Sequence, residues 1–170
     1  MTKSPPPPIL DSARVVAYAF VDDVPYRRRG ALIVDGEPLE HVPRLAVCIN
    51  LGKEIGPMLF HCDDDWNVLG VSGANSRDDS GSGNVDNCKE LAERNYPGVA
   101  SRWVDVNTSA DAALQYYDKQ TNGLKCSFCN RRPFEIERGW VKGNNAMICR
   151  NCVELHFRGF QESDAESKSG

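Results

Sequence analysis

Apolar residues in the first two-thirds of the chain fall in short runs divided by polar turns, a spacing that favours strands. Ala13 to Val21 is apolar apart from Arg14 and rich in Val, Tyr and Phe, so it predicts a strand. Asp22, Asp23 and Pro25 then supply a turn. Ala31 to Val34 predicts a second strand, ended by the turn dipeptide Asp35-Gly36. Arg44 to Leu51 and Met58 to Cys62 follow, with the breakers of a hairpin loop between them at Gly52 to Pro57. Trp66 to Val71 and Ser101 to Val106 complete the set. Short apolar runs joined by short polar turns describe an antiparallel meander.

The period changes twice. After a Gly- and Ser-rich stretch at residues 73–84, expected to be a mobile loop, Asn84 or Asp86 caps a helix. Val85, Cys88, Leu91 and Ala92 recur in it at helical spacing, and Pro97 cannot continue it. Thr108-x-x-Asp111 resembles a second cap, leading into Ala112, Ala113, Leu114 and Tyr117, with Asn122-Gly123 as the stop. Residues 10–122 therefore predict an α+β domain, a meander plus two helices. Ahead of it, the prolines from Pro5 to Pro8 favour an extended polyproline II path. Residues 1–9 are expected to be a disordered lead, with a docking ligand for a proline-reading domain as the alternative.

The chemistry lies beyond this domain. Residues 126–152 contain two Cys-x-x-Cys pairs, Cys126/Cys129 and Cys149/Cys152, with nineteen residues between them. Each pair sets two thiolates on one tight turn, and the intervening length allows a hairpin that folds back. Four sulfurs can then converge on one tetrahedral ion, the arrangement of a structural Zn²⁺. Disulfides and an iron–sulfur centre are the competing uses of four cysteines, but cytosolic thiols stay reduced and cluster ligands follow other spacings. The order predicted is a knuckle at Cys126 to Cys129 and a hairpin from Phe134 to Val141 and Ala146 to Ile148. A helix from Arg150 to Phe160 follows, completing a treble-clef zinc finger. Its boundaries are 123–160, with a disordered tail at 161–170. So small a module cannot build an adequate core, and the metal must supply much of its stability.

Both ends of this stretch resemble the four-cysteine zinc-binding domain at the N-terminus of the ClpX unfoldase. That family opens with Cys-Ser-Phe-Cys, here Cys126-Ser127-Phe128-Cys129, and closes with Ile-Cys-x-x-Cys-Val-x-Leu, here Ile148 to Leu155. Glu135-Ile136 and Lys142-Gly143 fall near matching positions, and the middle is slightly longer than is usual for the family. The resemblance covers residues 124–158 and is silent on residues 1–122. It implies a module that dimerises and holds substrate segments or adaptor tails.

Charge sharpens the division. Residues 1–122 carry 12 Lys/Arg against 18 Asp/Glu, whereas residues 123–160 carry 7 against 3. Arg131, Arg132, Arg138, Lys142, Arg150 and Arg158 either offset the negative thiolates or attract an acidic partner or nucleic acid. Arg27-Arg28-Arg29 similarly reads as solvated protection of a strand edge or as a phosphate grip. His61, Cys62 and Asp63 to Asp65 include metal-binding residue types, but neighbours on a strand point to opposite faces. Cys48 and Cys62 then read as small buried hydrophobes, and Cys88 as core-facing despite its place early in a helix.

Four thiolates close the coordination shell and leave no position for a catalytic water. The chain contains no Gly-x-x-x-x-Gly-Lys-Ser/Thr and no Gly-x-Ser-x-Gly. The ATPase that follows the zinc domain in the unfoldase is therefore not expected here, and no enzyme is expected. No run approaches the roughly 20 apolar residues of a membrane helix, and the cytoplasm is the expected compartment. Phe128, Trp140, Val153, Leu155, Phe157 and Phe160 supply more apolar surface than the module can bury. They are expected to serve self-dimerisation or capture of unfolded or peptide segments, unless residues 10–122 cover them. The alternative is nucleic-acid binding through the basic residues, with Phe128 and Trp140 as stacking surfaces.

Overall fold

A computed structural model describes residues 3–27, 32–52, 55–73, 83–136, 139–144 and 146–167, with the side chains of 160–167 excepted. Arg28, Arg29, Ala31, most of the expected 73–84 loop, Arg138, Asn145 and the Phe160 ring lie outside the described residues. The chain divides into two compact units, Met1–Tyr117 and Asp118–Gly170. Asp118, the first residue of the second unit, pairs its carboxylate with Lys125 and Arg132.

In the first unit an antiparallel sheet runs β1-β2-β5-β6-β7. Its strands are β1 (Ile9–Leu10), β2 (Ala13–Phe20), β5 (Arg44–Asn50), β6 (Met58–Cys62) and β7 (Val68–Gly73). Two of the expected strands behave differently. Ile33–Val34 (β3) leaves the meander and pairs with Glu37–Pro38 (β4). Its turn places Asp35 at φ 52° and Gly36 at φ 87°, the two positive angles of a type I′ hairpin. The run at 101–106 yields only Val104–Asp105 (β8), and it joins the β2 edge that β1 also occupies, far from β7. Val99–Arg102, just before it, forms a 3₁₀ turn.

Every second residue of β2 is buried, yet these residues serve two different faces. Val15 lies opposite Cys48 and Ala17 opposite Val47, so Val16 is an extra residue, a bulge. Ala13 and Val15 pack with Ala46, Cys48, Phe60, Cys62 and Trp66 on one side. Ala17, Ala19 and Val21 pack with Leu45, Val47 and Leu59 on the other. That second side is closed by α1 (Val85–Asn95), through Cys88 and Ala92, and by Tyr96. Asn84 caps α1 as its sequence indicates, accepting from the Asn87 N–H at 2.9 Å. The cap of α2 (Ala110–Gln120) is Ser109, one residue later than expected, whose hydroxyl accepts from the Ala112 N–H at 3.1 Å.

Residues 3–8 also depart from the expected free lead. The Trp66 indole donates to the Ser4 carbonyl at 3.1 Å, and the Val15 N–H donates to the Pro8 carbonyl at 3.0 Å. Trp66 itself is no strand residue: it sits at φ 66° in a turn, and β7 starts two residues later.

His61 and Cys62 fall on opposite faces, as strand alternation requires. His61 lines a cavity of about 370 Å³ with Tyr26, Leu39, Ser72, Leu91 and Asn95, and its Nε2 lies 3.0 Å from the Ser72 Oγ. Among the described residues no helix is long and apolar enough to cross a membrane.

Burial holds the His61 imidazole neutral and pushes its pKa from 6.5 down to about 4. Above pH 6.5 both folded and unfolded chains carry it uncharged. Between pH 6.5 and 4 only the unfolded chain takes up the proton, so stability falls by up to about 3 kcal/mol. Urea unfolding of the parent and of His61→Gln should therefore differ by an amount that changes by about 3 kcal/mol from pH 7 to pH 4. A difference that stays constant with pH would show that His61 is not held neutral.

Candidate metal centre

The second unit has three short elements around its cysteines: β9 (Trp140–Lys142), β10 (Met147–Cys149) and α3 (Arg150–Ser167). β9 and β10 form an antiparallel hairpin in the register Met147–Lys142, Ile148–Val141 and Cys149–Trp140. The hairpin is shorter than expected, because Pro133–Glu135 forms a 3₁₀ turn instead of extending β9. α3 runs on to Ser167, where an unstructured tail was expected from residue 161.

Each cysteine has a distinct support. Cys126 and Cys129 flank a tight turn in which the Asn130 N–H donates to the Cys126 carbonyl at 2.8 Å. Asn130 takes φ 59°, a left-handed conformation that Asn tolerates better than most residues. The Ser127 N–H donates to the Met147 carbonyl at 2.8 Å, tying this turn to β10. Cys149 ends β10, and Cys152 lies in the first turn of α3. Strand end and helix start thus bring the second pair against the first.

All four Sγ atoms lie within 4.8 Å of one another. Cys126 to Cys152 measures 3.8 Å and Cys129 to Cys149 measures 3.7 Å. Sulfurs bound tetrahedrally at about 2.3 Å from one ion stand about 3.8 Å apart, so these separations suit a single four-coordinate metal. Cys126, Cys149 and Cys152 are buried, and Cys129 is exposed. The two positive Asn122 and Gly123 φ angles end α2 just before the site, and the Gly123 N–H donates to the Asp118 carbonyl at 2.6 Å.

Burial disfavours ionisation of Cys126, but the backbone N–H groups of Cys129, Cys149 and Phe128 outweigh it and bring the thiol down to about 6. The Cys149 N–H reaches the Cys126 Sγ at 3.4 Å. Cys152 is pushed up to about 12, chiefly by hydrogen bonding with Cys149 and secondarily by burial and the other sulfurs. A cation held by these sulfurs would displace the protons of those thiols that still carry them.

Around the cluster, Arg132 grips Asp118 in a two-pronged pair, Nε to Oδ1 at 2.7 Å and Nη2 to Oδ2 at 2.9 Å. Arg132 thereby holds the Asp118 carboxyl below its usual range. Its backbone N–H donates to Glu135 at 2.6 Å, which fixes the exit from the knuckle. Nothing in the local pattern around Asp118 marked this pairing, because its partners lie seven and fourteen residues on.

The apolar residues singled out by sequence divide into groups. Phe128 packs against His156 with ring centroids 4.7 Å apart and the planes tilted by 50°. Val153, His156 and Phe157 follow at helical spacing on one side of α3, and all three are exposed. Leu155 is exposed too, at 69%, but falls on a different side of the helix. Trp140 and Val141 are exposed neighbours on β9 and point to opposite faces of that ribbon.

Comparison with models of known protein families, with curated proteins and with solved structures finds no match to this chain.

Cys149→Ser should reduce bound metal from one ion per chain to less than about a tenth, read by elemental analysis. Amide resonances of residues 118–159 should collapse toward unfolded positions, while those of the β2–β7 sheet persist. Full metal content in the variant would remove Cys149 from the ligand set.

Proposed function

We propose that the second unit is a zinc-dependent protein-docking module, a treble-clef finger similar to the ClpX zinc-binding domain, and that it has no catalytic role. The supporting observation is the apolar face of Phe128, Val153 and Phe157, which remains exposed beside the cysteine cluster. Apolar side chains grouped on a metal-organised surface are what a protein partner would cover. Zinc is the assignment because four thiolates suit its tetrahedral preference, and a fully occupied shell makes the ion structural. Knuckle, hairpin and helix follow one another in treble-clef order, with the last two ligands at the strand end and helix start.

The partner is a second copy of the chain, an unfolded or extended peptide segment, or both in turn, and the setting is cytoplasmic. Nucleic acid is the weaker reading because two of its proposed contacts are already engaged. Arg132 is held by Asp118, and Arg150 pairs with Glu154 at 2.7 Å. Phosphate binding would have to break those pairs.

Native mass spectrometry across protein concentration, with and without a chelator, tests the reading. One Zn²⁺ per chain and a dimer that dissociates as metal is removed are the expected results. Phe157→Asp should weaken association at least tenfold while retaining the ion, because it buries a charge at the contact. Zinc-bound chain that stays monomeric, and that binds neither unfolded nor extended polypeptide, would overturn the docking role. Steeply salt-dependent binding to an oligonucleotide would then favour the basic residues.

A further inference from the structure

The proline run at the start of the chain has a built receptor. Ser4, Pro5, Pro6 and Pro7 each precede a proline, which keeps each of them out of the helical region. The proline rings also fix φ near −65°, so this backbone is a preformed polyproline II rod. Pro5 to Pro8 have no N–H to donate, and their recognition must use carbonyl acceptors and ring surfaces.

Three attachments hold the rod. The Trp66 indole donates to the Ser4 carbonyl at 3.1 Å. Lys3 pairs with Asp22, and its ammonium stands 5.3 Å from the centre of the Phe20 ring. At the other end the Pro8 carbonyl accepts from Val15, and Pro6 to Pro8 are half-buried between these anchors.

The receptor is aromatic. Tyr18, Phe20 and Trp66 meet in a triangle with centroids 5.6, 5.7 and 5.9 Å apart. Arg44 supports it, its guanidinium 5.7 Å from Phe20 and 5.2 Å from Trp66, while its Nε and Nη1 are buried without a hydrogen-bond partner. The ring faces, together with the Asp64 carboxylate 3.6 Å from Nη2, accommodate that cation. Trp66 is placed by a strained backbone: φ 66° is uncommon for a bulky residue and persists only when its surroundings enforce it. Asp63 does so, accepting from the N–H groups of Asp65 and Asn67 at 2.9 Å each. Strain that aims an indole N–H at an extended backbone marks a functional site more than a packing accident.

Aromatic rings, an indole donor and a carboxylate for a flanking cation form the chemistry that reads polyproline II ligands. We propose that the Tyr18–Phe20–Trp66 surface is a recognition site for proline-rich segments of the type Lys-x-Pro-Pro. The chain's own Lys3 to Pro8 occupies it in cis and blocks it. A peptide of this type on another protein binds when the lead is withdrawn. Being tethered through β1, the lead competes at high effective concentration, which keeps the site closed to weak ligands.

The test is a calorimetric titration with the synthetic peptide Lys-Ser-Pro-Pro-Pro-Pro-Ile-Leu, accompanied, wherever Trp66 is present, by its indole N–H resonance. A variant beginning at Ile9 should bind it at least tenfold more tightly than the full chain. Trp66→Phe in that variant should weaken binding at least fivefold, because the indole donor is lost. If the shortened chain does not fold, Pro5→Gly with Pro6→Gly in the full chain loosens the rod while leaving β1 intact. No binding by a folded lead-released variant would overturn the proposal. Equal binding with and without the lead, or indifference to Trp66→Phe, would do the same.

Discussion

The second unit depends on one constraint: its buried core consists of cysteines Cys126, Cys149 and Cys152 together with Met147. Among the described residues only Leu124, Ile136 and Ile148 pack partly against it. Burying so few apolar groups cannot offset the conformational entropy of ordering the backbone around them. The sulfurs must therefore bring more than packing. The four are placed where one cation could be shared among them, and the local features converge on that placement. The left-handed Asn130, the tie from Ser127 to Met147 and the Asp118–Arg132 pair each fix one sulfur-bearing segment.

The first unit solves the opposite problem, because it has a sheet with apolar residues on both faces. β5 is buried from Arg44 to Cys48, and the single extra residue Val16 lets β2 contribute to both sides. Without the bulge, Ala13, Val15, Ala17 and Ala19 would share one face and the other would lack its middle. α1 covers one face, while Trp66 and its aromatic neighbours close the other, with the proline rod attached to them. A residue insertion of this kind leaves no mark in the hydrophobic pattern, since every odd position stays apolar.

The cysteine spacing made the candidate metal site legible, because two residues between ligands is a geometric requirement of a tight turn. The strands of β2, β5 and β6, the Asn84 cap and the Asn122-Gly123 stop were legible for the same local reason. What sequence could not supply were pairings set at long range. β8 joins β2 although the paired residues, Ala17 with Asp105 and Tyr18 with Val104, lie far apart in the chain, and the β3–β4 hairpin leaves a sheet that its strand propensity would have let it join. The sequence pattern places Trp66 at the start of a strand, where aromatic side chains are favoured. The Asp63 turn overrides that preference by satisfying backbone N–H groups that a strand would have paired with a neighbour.

The proline lead shows how a local argument can be right about conformation and silent about location. Residues that cannot join a sheet are usually left to solvent, because they lack donors for its ladder. Here the same lack makes them a ligand, since a rod already fixed in shape loses little entropy when it docks. Both units thus present aromatic surface, but they treat it differently. In the first, Trp66 is 5% exposed and tied to the lead, whereas in the second Phe128 is 57% exposed. A surface covered by a tethered segment is uncovered only by releasing the tether, while Phe128 is already open. On the two readings proposed, the sites answer to different signals, competition by another proline-rich chain in one case and metal occupancy in the other.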